Sequence, residues 1–305
     1  MWKSLLLAAA AGLMVAGCSS SQSPQANTAP PSAASAPVAT SANTPVAAAS
    51  AAPASSSVAP ATSTAATTSS TPTAPAPAAS TRSGPLIAAP ADDGRWVEGK
   101  NYFRIEPALP TDHPDHVVVT EVFSWGCPAC NQFQPFADAL RQGMPAWVHW
   151  QYLPASFIAP EDWPVFQRAY YTAQAMGLDT PKLHDAMFKA IWTPGGPLNT
   201  YDGLGTASPR VKTHLPSIAD VAQFFASHAG ADAQTFVATA DSFAINARMR
   251  RADQLIKAYG VNSTPTIVVN GKYRLNVGSA GGVQQLDALV HYLAQKEAAA
   301  MGLHQ

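Results

Sequence analysis

Two cysteines two residues apart, Cys127-Pro128-Ala129-Cys130, are the place in this 305-residue chain where side-chain type and spacing most plainly offer chemistry. They follow an apolar, β-branched run at residues 117–124 (VVVTEVFS) and open a helical stretch at residues 127–141, so they stand where a strand gives way to a helix. A cysteine in the first helical turn faces unpaired backbone N–H groups and the positive helix end, and both favour the thiolate. The thiolate attacks in thiol–disulfide exchange, which makes Cys127 the candidate nucleophile and the more shielded Cys130 the candidate resolving thiol. Other uses of the pair fit less well. A zinc site needs four ligands, and no second CxxC or HxxxH completes one. His113 and His116 sit in a Pro/Asp-rich loop and read as surface residues, and a c-type haem would need a histidine where Asn131 stands. A purely structural disulfide stays open, although so small a loop stabilises a domain of this size little. No metal and no cofactor is expected beyond the cysteine pair itself. The remaining polar oddity is Glu121, in the middle of the apolar run: it either points to solvent at the strand's end or is buried for a reason.

The elements that must position these residues can be read coarsely. Residues 102–105 form a short strand, 117–124 a buried central strand, 127–141 a helix and 147–153 a further strand, which together give a βαβ unit of right-handed connection. From about 159 to 259 the pattern turns helical: Phe166, Tyr170, Ala173 and Met176 recur at helical spacing, as do Val221, Phe224 and Phe225 after Ser217, and residues 241–258 form an Arg-rich helix. The Pro/Gly-rich run 193–216 is expected to be a long surface loop. Strands return at 266–270 and 273–276, joined by the turn signal Asn270-Gly271, and a helix at 283–296 closes the chain. The expected fold class is α/β, one composite domain with a helical insertion.

The N-terminal third is different. Lys3 is the sole charged residue before Arg82, and a dozen of the chain's 27 prolines fall between residues 19 and 91. Such a stretch lacks the apolar bulk to offset ordering entropy and reads as a disordered Ala/Pro/Ser/Thr tether, with a reach of roughly 40–50 Å as a flexible coil. Before it, Lys3 and an apolar segment too short for a membrane span form an export signal, ending in Val15-Ala16-Gly17-Cys18. That ending resembles the bacterial lipobox, which implies that Cys18 is lipidated and becomes the mature N-terminus. The expected organisation is therefore a signal at 1–17, a tether at 18–94 and a folded domain at 95–305. The net charge of −1 calls for no nucleic-acid partner.

Taken in order, Trp125-Gly126-Cys127-Pro128-Ala129-Cys130, Pro135 and the distant Thr264-Pro265 before a strand resemble the thioredoxin superfamily. The helical block and Val269-Asn270-Gly271-Lys272-Tyr273 are similar to the DsbA family in particular, over about residues 97–296. The resemblance implies a thioredoxin-like fold with an inserted helical subdomain and a cis Pro265 facing the cysteines. Thr264 and Pro265 would then offer backbone to a substrate strand. It also implies a buried acid at Glu121 that relays protons. The implied activity is protein-disulfide oxidoreduction: a dithiol oxidase acting on exported cysteine-containing polypeptides, recharged by an inner-membrane partner and working as a monomer. Two departures weaken the oxidase implication: Ala129 stands where the best-known oxidases have histidine, and Thr264 where they often have valine. A reductase or isomerase is the second reading, a non-redox peptide-binding module the third. Ser19 after Cys18 hints at an outer-membrane anchor facing the periplasm.

The anchor has a direct test. Cells grown with labelled palmitate are expected to label the protein at Cys18, and Cys18→Ala is expected to remove the label; label that survives the substitution excludes lipidation there.

Overall fold

The computed structural model describes residues 84–305. The expected signal at 1–17, Cys18 and the tether up to residue 83 lie outside the described residues. Among the described residues the elements run β1 (Phe103–Arg104), β2 (Val117–Phe123), α1 (Pro128–Gly143) and β3 (Val148–Pro154). A short 3-10 turn (Ala159–Glu161) leads into the helical block, α2 (Trp163–Ala175) and α3 (Pro181–Trp192). The small strands β4 (Tyr201–Asp202) and β5 (Arg210–Val211) come next, then α4 (Ile218–Ala229), α5 (Ala233–Ala240) and α6 (Phe243–Ala258). The chain finishes with β6 (Thr266–Val269), β7 (Tyr273–Leu275), α7 (Val277–Ala280) and α8 (Val283–Ala300). This is the α/β fold with a helical insertion that the sequence implied.

The main sheet has the order β1-β7-β6-β2-β3, with β2 parallel to β3 and the other pairings antiparallel. All seven residues of β2 are buried, as its near-continuous apolar sequence requires of a strand covered on both faces. Its alternate residues face opposite sides of the sheet, and toward its end both sides, at Val122 and Phe123, are covered by the helical block. Val117 and Val119 pack with Phe133, Ala137 and Leu140 of α1 and with Leu289 and Leu293 of α8. Val122 belongs to the core of the helical block, with Phe166, Met187, Phe225 and Ile256. Glu121 shares the parity of Val117 and Val119, so the period of two turns it toward α1 rather than toward water.

Helix limits follow local chemistry. Ser217 and Asp220 form a reciprocal capping box at the start of α4, Ser242 caps α6, and Gly230 closes α4 in the left-handed region. Asn270 (φ 52°) and Gly271 (φ 63°) both take positive φ, the signature of the tight hairpin turn that joins β6 to β7. Gly271 is fixed twice over, since a Cβ there would run into the Leu109 carbonyl.

Two boundaries differ from the sequence reading. The folded domain includes residues well before Arg95: Ile87 is buried, its N–H donates to Leu303 O at 2.9 Å, and Gln305 N–H donates to Pro85 O at 3.0 Å. One isoleucine, backbone pairing with the C-terminus and side-chain bonds from Gln295 and His304 hold this stretch, and composition carries no mark of them. The 193–216 stretch is likewise more than a loop. It carries the β4–β5 hairpin, and Leu198, Asn199 and Thr200 at its base are buried. Gly196 makes that base possible, because a Cβ there would meet the Ala190 carbonyl. His113 is not a plain surface residue either: its ring stacks on His149 with centroids 3.7 Å apart.

The β6–β7 turn is tied to α8 through Glu297, whose buried carboxylate accepts from Lys272 Nζ at 2.6 Å and Asn270 Nδ2 at 2.8 Å. Removing one member of such a pair leaves a buried charge uncompensated. Lys272→Ala is expected to cost about 3 kcal/mol, the low end for a buried pair because the lysine is partly exposed. Lys272→Met with Glu297→Met is expected to cost less than the single change. Urea unfolding midpoints check both, and a larger loss in the double variant would refute this role for Glu297.

Candidate active site

Cys127 is the N-cap of α1 rather than a residue of its first turn. Its backbone is extended (φ −89°, ψ 119°), Pro128 follows at the first helical position, and Cys127 Sγ accepts the Cys130 backbone N–H at 3.3 Å. The sulfur thus does what a serine or aspartate oxygen does at an ordinary helix start, satisfying an amide that the helix leaves unpaired. The approach is held from behind: Ser124 O accepts the Cys127 N–H at 3.1 Å, and Ser124 Oγ accepts the Gly126 N–H at 3.1 Å. Trp192 Nε1 donates to the Trp125 carbonyl at 2.8 Å, which ties α3 to the same turn. Gly126 is required by close approach, since a Cβ would lie 2.8 Å from the Trp163 ring. Pro135 lies inside α1, as the sequence motif implied.

The distant motif comes to the same place. The Thr264–Pro265 bond is cis, and Thr264 O lies 3.6 Å from Cys127 Sγ across 137 residues of sequence. Both cysteines are free thiols; Cys130 has no exposed surface, while Cys127 keeps a 4% edge. Their proton affinities are driven apart. The Cys130 thiol donating to Cys127 is the largest influence lowering Cys127 to about 6. The Thr264 side chain and the backbone N–H groups of Cys130 and Ala129 add to it, against the opposing effect of burial. The Thr264 hydroxyl oxygen is buried without another partner, so its proton is free to turn to the thiolate. Cys130 moves the other way, well above an ordinary thiol, first through burial and then through the Cys127 charge it supports.

Glu121 is 1% exposed, which rules out the solvent-facing alternative. Burial, with Asp138 and Cys127 as nearby negative groups, pushes its carboxyl up to about 8. One carboxyl oxygen has no hydrogen-bond partner, and Glu121 is in turn among the charges that raise Cys130. A neutral acid beside a buried thiol can give or take one proton without placing a net charge in the core.

Beside the cysteines lies a groove of about 410 Å³, walled by Ala129, Phe136, Thr264, Pro265 and Val277. Phe136 is half-exposed there. Sequence reasoning did not single out Phe136 or Val277, because they come from separate elements that only the fold brings together. Trp192 and Tyr201 were also missed, although an aromatic residue before a Pro/Gly-rich run was a visible signal.

Residues 212–294 match the family described as DSBA-like thioredoxin domain. The thiol:disulfide interchange protein DsbA of Pseudomonas aeruginosa is 36% identical over 210 residues, which covers 69% of this chain and 89% of that protein. The protein of the same name from Azotobacter vinelandii is 33% identical over 202 residues, 66% of this chain and 85% of its own. The crystal structure of Pseudomonas aeruginosa DsbA superposes with a TM-score of 0.57 at 34% identity, covering 68% of this chain and 97% of that one. The oxidoreductase DsbA from Xylella fastidiosa gives 0.57 at 26% identity, covering 67% and 98%. Sequence, fold and the meeting of the two distant motifs agree, and the chain belongs to the DsbA family of thiol:disulfide interchange proteins, which are protein-disulfide oxidoreductases.

Proposed function

We propose that the protein is a dithiol oxidase that donates the Cys127–Cys130 disulfide to exported polypeptides on the periplasmic side of the cell envelope. The observation that carries this reading is Cys127 Sγ at the N-cap of α1, accepting the Cys130 N–H at 3.3 Å, an arrangement that lowers Cys127 to about 6 while burial raises Cys130. Whatever stabilises the reduced pair makes its disulfide a stronger oxidant. A substrate thiolate attacks Cys127 Sγ, the sulfur with an exposed edge, and the Cys127–Cys130 bond breaks. Cys130 leaves with the electron pair and takes a proton from neutral Glu121. A second substrate thiolate then attacks the substrate sulfur of the mixed disulfide, and Cys127 departs as a thiolate. The substrate loses two electrons, the pair gains two, and a membrane partner restores the disulfide. The Thr264 backbone lies within reach of the mixed disulfide, and the groove walled by Phe136 and Val277 receives apolar substrate side chains.

The lipobox-like Val15-Ala16-Gly17-Cys18 supports a lipid anchor, with residues 19–83 as spacer, and Ser19 favours the outer membrane. No helix among the described residues is long and apolar enough to cross a membrane. Disulfide donation also fits an oxidising compartment.

The reduction potential should report the split between the thiols. A thiolate titrating near pH 6 in the folded reduced protein lies below the thiol's unfolded value of about 8.5. Its stabilisation is therefore complete above about pH 8.5 and is lost as pH falls through 6. Below pH 6 two protons accompany two electrons and the potential falls by about 59 mV per pH unit; just above it one proton does, and the slope is about 30 mV. Equilibration with glutathione buffers across pH checks this, and a potential near the thioredoxin end would instead support the reductase reading. Glu121→Gln should remove the limb near pH 8 from the pH–rate profile of peptide oxidation. An unchanged profile would exclude the relay. Cys127→Ser is expected to abolish both exchange and the protein's function in cells, and a cellular function that persists without exchange would favour a binding module.

A further inference from the structure

The Cys127 edge has a neighbour on each side. Around α1 from the groove at Thr264 and Pro265, and sharing Gln132 with it, lies a second cavity of about 480 Å³, walled by Pro128 and Asn131 of α1 and by Trp192, Tyr201, Leu204 and Pro209. Most of that far wall is the β4–β5 hairpin of the 193–216 stretch. The hairpin is built to stay in place. Leu198 N–H donates to Ala190 O at 3.1 Å and Lys212 N–H to Thr200 O at 2.9 Å, closing its base against α3. Asn199 Oδ1 accepts the Tyr201 N–H at 2.8 Å, and the Trp192 and Tyr201 rings lie 5.7 Å apart. The same Trp192 holds the Trp125 carbonyl, so the hairpin and the turn that presents Cys127 share one support.

We infer that this cavity is a second recognition subsite for the polypeptide substrate, taking an uncharged aromatic or large aliphatic side chain next to the substrate cysteine. The inference rests on the exchange reading above and deepens it. The occupant follows from position: Pro128 adjoins Cys127, and Gln132 lines both cavities. A chain whose cysteine reaches Cys127 and pairs at Thr264 has its flanking residues over both cavities. The chemistry follows from the lining, which holds rings, prolines, a leucine and two amides but no charged side chain. Such a wall rewards apolar area and penalises a charge that loses its water. The volume falls in the ordinary range of sites that enclose a ligand, roughly 300–1,000 Å³.

The test uses cysteine peptides that differ only at the two positions flanking the cysteine, with Trp, Ala or Asp on either side. The full-length oxidised protein is expected to react with the better-placed Trp peptide about tenfold faster in kcat/KM than with its Ala counterpart. The Asp peptide should be slower than Ala. In Leu204→Asp, and in a variant with residues 201–211 replaced by two glycines, the Trp-to-Ala ratio should fall to near one. Each ratio is taken within a single preparation, so a general loss of activity cancels. Equal rates for Trp and Ala in the unaltered protein, or a ratio that survives in both variants, would overturn the subsite. The same preparation is assayed with glutathione: no exchange there sinks the exchange reading itself, whereas normal glutathione exchange without peptide preference sinks the subsite alone.

Discussion

The site depends on one hydrogen bond, from the Cys130 backbone N–H to Cys127 Sγ. A helix must leave its first amides unpaired, and here the group that satisfies one of them is the sulfur that does the chemistry. The bond forms because β2 delivers the chain in an extended conformation up to Cys127 and Pro128 sets the first helical φ. β2 can do so only as a buried central strand, gripped by β3 on one side and β6 on the other. The element that brings Thr264 to the thiol is the loop that feeds β6, the strand hydrogen-bonded to β2. One strand therefore sets the cap, and its neighbour sets the carbonyl that faces it.

The same placement sorts the two thiols. Cys127, at the cap, keeps an edge in water and collects donors, whereas Cys130 and Glu121 lie in the low-dielectric space beneath α1. There burial raises both, because an isolated charge would lose its hydration. Asymmetry is the result: one sulfur is easily ionised and reachable, the other is neither. An incoming thiolate meets Cys127, and the leaving Cys130 needs a proton that bulk water is poorly placed to supply. In the proposed exchange Glu121 meets that need, since burial pushes its carboxyl up to about 8 and it lies close enough to act on Cys130.

Much of this was legible in the sequence, for physical reasons that differ by element. The run VVVTEVFS marked a strand buried on both faces, and Asn270-Gly271 marked a turn that demands positive φ. The strand-to-helix setting of the cysteines followed from periodicity on either side of them. Glu121 could not be settled from its own residue type, since only the parity of the buried strand decides which face it joins. Ile87 was hidden because one apolar residue in an Ala/Pro-rich stretch has no period, and its partner Leu303 lies at the other end of the chain. The 193–216 stretch was hidden for a related reason. Its order comes from Leu198, Asn199 and Thr200 docking on α3, a contact that neither strand nor helix propensity records.

That hidden order changes how the catalytic edge meets a polypeptide. With 4% of its surface exposed, Cys127 cannot reach outward to a thiol; the substrate has to settle onto the protein before sulfur meets sulfur. A flat surface would offer little for that settling. Instead the first turn of α1 is a ridge with Gln132 along it, a groove from the β6 loop and α7 on one flank and a cavity from the β4–β5 hairpin on the other. The groove is assembled from the sheet and its loops, the parts that make the fold. The β4–β5 pair completes no strand of the main sheet, although Leu198 at its base joins the core of the helical block. Its tip, residues 203–209, is largely exposed, so on the proposed reading the preference for particular neighbours of a substrate cysteine is carried by a surface turn, apart from the buried cap at Cys127 that performs the chemistry.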